Sequence, residues 1–134
     1  VIAGYFTEQG LPYVQARLVL PRIGVDSDVV FLVDTGAAST VLHSNDANDL
    51  DCPNDRLILP QSFEGVGGVL TYYRETALIK FSHGDGTHDL AVQIAIAKPG
   101  SPTDGLPSLL GRDILNRMRM DYDFPQDRLE LVYS

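Results

Sequence analysis

Asp34-Thr35-Gly36-Ala37 is the segment of this sequence best suited to chemistry. It follows an apolar run, Val29-Val30-Phe31-Leu32-Val33, that reads as a buried strand. A strand ending in small residues delivers a carboxylate to a crowded place with little water. There it is costly unless it is hydrogen-bonded or reactive. Gly36 lets the backbone come close to the carboxylate, and the Thr35 hydroxyl can lock the turn. Taken alone, the tetrapeptide fits an Asx-type turn equally well. The chain holds no second Asp-Thr/Ser-Gly. Carboxyl-based peptide hydrolysis needs two carboxyl groups, one as base and one as acid.

Two further segments have unusual spacing. Leu109-Leu110-Gly111-Arg112-Asp113-Ile114-Leu115 reads as a buried strand that exits tightly into a short helix. An ordinary strand-to-helix junction is the other reading. Glu64-Gly65-Val66-Gly67-Gly68-Val69 places three glycines in four positions, which suits a hairpin tip. That tip is either a lid whose backbone amide touches a ligand or a plain flexible hairpin. A phosphate loop fits poorly, because no Lys-Ser/Thr follows and no helix is indicated.

The elements that must position these segments are mostly strands. Tyr13 to Leu20 alternates, with Val14, Ala16, Leu18 and Leu20 on one face. Pro21 to Asp28 reads as a turn-rich link, and Asn45 to Asn54 as a polar, acidic loop. Leu57 to Leu59 reads as a short strand stopped by Pro60. Thr76 to Phe81 and Leu90 to Ala97 form a hairpin around the turn cluster Ser82 to Thr87. Lys98 to Pro107, rich in Pro and Gly, reads as a loop. Ile114, Leu115 and Met118 share one face of a short helix, and Arg128 to Tyr133 ends the chain as a strand.

Composition narrows the function classes. The chain has 134 residues, 44% of them hydrophobic, which predicts one globular domain over 1–134. No apolar run approaches the roughly 20 residues of a membrane span. The chain starts at Val1 without Met and shows no leader, so a leader, anchor or larger parent can have been trimmed. Net charge is −8 with scattered basic residues, which argues against nucleic acid as a partner. Cys52 is the only cysteine, so no internal disulfide forms, and a reducing, cytoplasmic setting is the expectation. His43, His83 and His88 sit in or beside polar loops and read as solvated. Asp46, Asp49, Asp51 and Asp55 lack the pattern of a calcium loop and read as a solvated face. Ser39 has no nearby base, and Tyr72-Tyr73 reads as packing on the sheet.

In order and spacing, the three motifs together resemble the retropepsin family, single-domain aspartic proteases related to the retroviral proteases. The resemblance covers roughly residues 10 to 133. It implies an all-β, closed-barrel-like fold with one short C-terminal helix, working as a homodimer on polypeptide substrates. It implies an aspartic endopeptidase in which each subunit supplies one catalytic Asp and one flap. Asp34, Thr35 and Gly36 match the catalytic loop. Leu32, Ala37, Gly65, Val66, Gly67 and Leu109 match substrate-binding positions, with the Val66 amide reaching the substrate. Gly111, Arg112 and Asp113 match the structural signature. No cofactor and no metal is implied. Retroviral members usually carry an acidic residue at the place of Ala38, where it pairs with the signature Arg. Here Arg112 is expected to take another carboxylate or carbonyl, from either subunit. Val1 to Phe6 and Leu129 to Tyr133 are candidate dimer-interface strands. A non-catalytic dimerisation or peptide-binding module on the same fold is the alternative.

Overall fold

Alternation of apolar and polar residues builds the first long hairpin. In the computed structural model, which describes residues 1–65, 68–98 and 105–133, β3 (Pro12–Leu20) pairs antiparallel with β4 (Val25–Val33). Val14, Ala16, Leu18 and Leu20 turn inward, as do Val25, Val29, Phe31 and Val33. Before β3 lie β1 (Ile2–Ala3) and β2 (Tyr5–Phe6). After β4 come β5 (Val41–Leu42) and the helix α1 (Ser44–Asp49). Then follow β6 (Pro60–Gly65), β7 (Gly68–His83) and β8 (Gly86–Ala97). The chain ends with β9 (Leu109–Leu110), α2 (Arg112–Leu115), β10 (Arg119–Asp123) and β11 (Arg128–Val132).

One sheet runs in the order β2-β3-β4-β9-β5-β8-β7-β6. A further pairing, β3 with β7 through Leu18 and Ile79, closes six of these strands into a barrel. Closure removes the edges that β3 and β7 would otherwise expose. Phe31, Phe81, Ile79, Ile94, Ile96 and Leu110 are fully buried. Burial of each such side chain contributes about 1.5–3 kcal/mol. A second sheet, β1-β11-β10, joins the two ends of the chain, with Ile2 opposite Leu131. Both terminal segments are thus paired with each other inside one chain, and β1 and β10 form the outer strands of that sheet.

Four local expectations change. Residues 25–28 belong to β4 rather than to a link. Their charges lie on the outer face, where Asp26 and Asp28 meet Arg17 of β3 at 2.6 and 3.6 Å. The 3-10 turn Pro21–Ile23 ends at Gly24, whose φ of 74° needs no side chain. Part of the acidic loop is the helix α1, because Ala47 (2% exposed) gives it a face to bury. Leu57 to Leu59 is not a strand: Leu59 has φ 56° and breaks the extended run. Pro60 begins β6 instead of ending a strand. It sits on the sheet's outermost strand, where its missing N–H breaks no ladder. The strand β10 was not among the expected elements, although Met120 and Tyr122 alternate with Arg119, Asp121 and Asp123 along it.

Glu75 of β7 is buried, and Arg22 from the β3–β4 turn forks onto it, Nε donating at 3.0 and 3.1 Å and Nη2 at 2.6 Å. A carboxylate inside a protein requires such a partner. Arg56 donates to the Arg22 carbonyl at 2.6 Å and pins the following loop beside this pair. Cys52 packs into the core next to α1.

Burial, with lesser help from Asp51 and Glu75, pushes the Cys52 thiol up to about 11. The folded protein therefore holds a proton between pH 9 and 11 that the unfolded chain releases. Stability from this group is complete below pH 9 and declines as pH rises towards 11. At pH 8, iodoacetamide should alkylate native Cys52 about 100-fold more slowly than the urea-unfolded chain. Equal rates would show an accessible thiolate.

Candidate active site

The end of β4 is held against β9 in a short parallel pairing, Leu32 beside Leu109 and Val33 beside Leu110. Leu32 N–H donates to the Ser108 carbonyl at 2.8 Å, and Asp34 N–H to the Leu110 carbonyl at 3.0 Å. Beyond Asp34 the chain turns, Ala37 N–H donating back to the Asp34 carbonyl at 3.2 Å. Gly36 N–H donates to Asp34 Oδ1 at 2.8 Å, which fixes the plane of the carboxylate. A Cβ on Gly36 would stand 3.1 Å from that oxygen, so a side chain there would press on the carboxylate. Asp34 is half-buried rather than sealed in, and Thr35 and Gly36 are exposed.

The loop then returns to β5, which pairs with the other side of β9 through Val41 and Leu109. Thr40 is completely buried. Its N–H donates to Asp113 Oδ2 at 2.9 Å and its hydroxyl to Asp113 Oδ1 at 2.7 Å. Gly111 N–H donates to the same hydroxyl at 3.1 Å. Gly111 passes so close to this loop that a Cβ would lie 2.5–2.9 Å from the backbone of Ser39 and Thr40. Only glycine fits that crossing. Arg112 N–H donates to the Ala37 carbonyl at 2.8 Å, and its side-chain Nη1 to the Thr35 carbonyl at 2.9 Å. With Ala38 in the acidic position, the guanidinium thus takes a backbone carbonyl of its own chain.

Two of the three sequence motifs therefore meet. Asp34, Thr35, Gly36 and Ala37 lie against Leu109, Gly111, Arg112 and Asp113. Leu32 and Leu109 are neighbours, half-buried on the face opposite Phe31 and Leu110. Alternation along β4 puts Asp34 on the Leu32 face. Gly65 ends β6 opposite Gly68 of β7. Val66 and Gly67 lie outside the described residues, as do residues 99–104 of the Lys98–Pro107 loop. Among the described residues no cluster of three or more His, Cys, Asp or Glu side chains could hold a metal ion. A cavity of about 500 Å³ opens elsewhere on the barrel, beside Ile2, Arg17 and Lys80, and includes no residue of the Asp34 loop.

Three residues around the loop escaped the sequence reading. His43 is buried (4% exposed), not solvated. Its Nδ1 faces the Pro107 carbonyl at 2.6 Å, and its N–H donates to Ser108 Oγ at 3.0 Å. Ser108 Oγ donates in turn to Asp46, so this aspartate of α1 is tied inward. Thr40 carried no signal beyond its place shortly after the Asp34 motif. Arg74 of β7 donates to Ser39 Oγ at 3.1 Å, a contact no local pattern announces.

Thr40→Val removes one donor and one acceptor from a dry junction. The change should destabilise the fold by about 1–3 kcal/mol in urea unfolding. An unchanged midpoint would mean that Asp113 and Gly111 do not depend on this hydroxyl.

A family profile described as aspartyl protease matches residues 21–114. Among curated proteins none matches the chain significantly. The fold is similar to that of a retropepsin-like aspartic protease from Rickettsia conorii, with 19% identity, a TM-score of 0.63, and coverage of 99% of this chain and 89% of that one. It is also similar to EIAV protease solved with the inhibitor HBY-793, with 23% identity, a TM-score of 0.55, and coverage of 83% and 90%. The matched stretch runs from the β3–β4 turn through Asp34 to Asp113, so every junction described above falls within it: the chain belongs to the aspartyl protease family, and its fold is retropepsin-like.

Proposed function

We propose that the protein is an aspartic endopeptidase whose active unit is a homodimer. The observation that carries this reading is the setting of Asp34. Its main chain is fixed to Leu110, one carboxylate oxygen is held by Gly36 N–H, and the group remains open to the outside. A single carboxyl cannot serve as base and acid at once. A two-fold axis beside Asp34 supplies the second from an identical chain.

In this reading the two carboxyls share one proton, because like charges so close do not both ionise readily. The ionised member takes a proton from a bound water as its oxygen attacks the scissile carbonyl carbon. The protonated member donates to the carbonyl oxygen. Collapse of the tetrahedral intermediate breaks the C–N bond, and the amine leaves with a proton from the dyad. Thr35 and Gly36 hold the loop in the plane this requires. Leu32, Ala37 and Leu109 line apolar pockets, which favours apolar side chains beside the cut. The β6–β7 hairpin acts as the flap, with Gly65, Val66 and Gly67 at its tip and the Val66 amide on the substrate backbone. The substrate is an extended polypeptide, bound through main-chain hydrogen bonds.

Asp34→Asn should reduce cleavage of casein by about 10²–10⁴-fold, the usual contribution of general acid–base catalysis. Sedimentation should show the dimer retained. Undiminished cleavage would contradict the mechanism. Because the active unit is a dimer, specific activity should fall on dilution through the dissociation range. Specific activity that stays constant while sedimentation shows monomer would place catalysis in one chain.

A further inference from the structure

Along β7, Tyr72 and Arg74 stand opposite small residues of β8: Tyr72 faces Ala97 and Arg74 faces Ala95. Directly opposed residues of an antiparallel pair project to the same face. Ile94 and Ile96 alternate with these alanines and fill the barrel core. Yet Ala95 and Ala97 are themselves 2% and 0% exposed. The outer face of β8 is therefore covered here as well as the inner one. The two alanines form a trough that long side chains from β7 can cross.

Both side chains reach the far side. Arg74 Nη1 donates to Ser39 Oγ at 3.1 Å, and the Tyr72 hydroxyl meets His43 Nε2 at 3.4 Å. A carbonyl can only accept, so the 2.6 Å contact with Pro107 puts a ring hydrogen on His43 Nδ1, and Nε2 is the nitrogen that faces the Tyr72 hydroxyl. Ser39 and His43 bracket β5, which lies beyond β8 in the sheet: Val41 pairs with Ala95 and Leu42 with Ile96. The same guanidinium holds β6, its Nε donating to Gln61 Oε1 at 2.8 Å. One arginine thus joins both arms of the β6–β7 hairpin to the residue next to Thr40, which Asp113 clamps.

We propose that Arg74 and Tyr72 form a two-point latch across β8 that fixes the root of the β6–β7 hairpin to the loop carrying Asp34, with Arg74 as a positioning residue for catalysis. The catalytic half of this inference rests on the protease reading above. Without the latch the root of the hairpin is less firmly fixed relative to the Asp34 loop, and substrate binding must first order it. The loss falls on KM more than on kcat, because Arg74 touches no reacting atom.

The test uses Arg74→Met, Arg74→Lys, Ser39→Ala and the Ser39→Ala/Arg74→Met pair in the full chain. With fluorescent casein, Arg74→Met should raise KM about 10-fold and change kcat by less than about 3-fold. Arg74→Lys, which keeps the charge but loses the fork, should fall between it and the wild type. The double variant should be no worse than the weaker single one. Hydrogen exchange should quicken together in residues 57–65 and 38–43 of Arg74→Met, at an unchanged Tm. Unaltered exchange, or quickening only in step with a lowered Tm, would overturn the latch. Unaltered KM in an active enzyme would overturn its catalytic role. A wild type that fails to cleave casein would defeat the protease reading, while the exchange result still decides the latch.

Discussion

Asp113 grips Thr40 through two hydrogen bonds, and the rest of the site depends on that grip. Thr40 closes the loop that begins at Asp34, and Asp113 opens the helix that follows Gly111. The two bonds, 2.9 and 2.7 Å long, fasten one motif onto the other across 73 residues of sequence. The Thr40 hydroxyl also receives Gly111 N–H, so it donates and accepts in the same dry junction. Removing any of the three partners leaves a buried polar group without a mate, which costs more than the net value of one hydrogen bond. The requirement for glycine at 111 follows from the same closeness, since the loop backbone occupies the space a Cβ would need.

The closed barrel explains why this junction can be held so tightly. β9 is only two residues long, yet it lies between β4 and β5 and is bonded to both. Its position is set by long strands that carry the core, β3 and β4 on one side and β7 and β8 on the other. Asp34 therefore stands at the end of a fixed rail, with its carboxylate oriented by one amide. Such an arrangement limits the reorganisation needed when charge moves in a reaction. In the proposed dimer, symmetry would then place two equally oriented carboxyls together with no further device.

Much of this was legible in the residues. Period-two alternation revealed the inward faces of β3, β7 and β8, because those strands bury one side over most of their length; only the last residues of β8, through Ala97, are buried on both. The glycines at 36 and 111 marked close approaches of the chain, and the structure has one at each: Gly36 lies against the Asp34 carboxylate, and Gly111 against the backbone of Ser39 and Thr40. The start of β4 was hidden because Asp26, Ser27 and Asp28 look like a turn until Arg17 is seen beside them on β3. The helix α1 was hidden because its buried face is one alanine and a serine. His43 read as solvated because its partners, Pro107, Ser108 and Tyr72, are distant in sequence. Contacts of that kind are set by strand order, and no local window contains them. The partner of Arg112 is a backbone carbonyl, which has no sequence signature at all.

The central claim is that catalysis needs one Asp34 from each of two chains. Mixing wild-type chains with Asp34→Asn chains at constant total concentration, under conditions where subunits exchange, tests it most directly. If every active site needs two intact carboxyls, activity follows the square of the wild-type fraction, and an equal mixture retains about one quarter. A linear fall, with about one half retained at equal mixing, would mean that each chain works alone and would contradict the account.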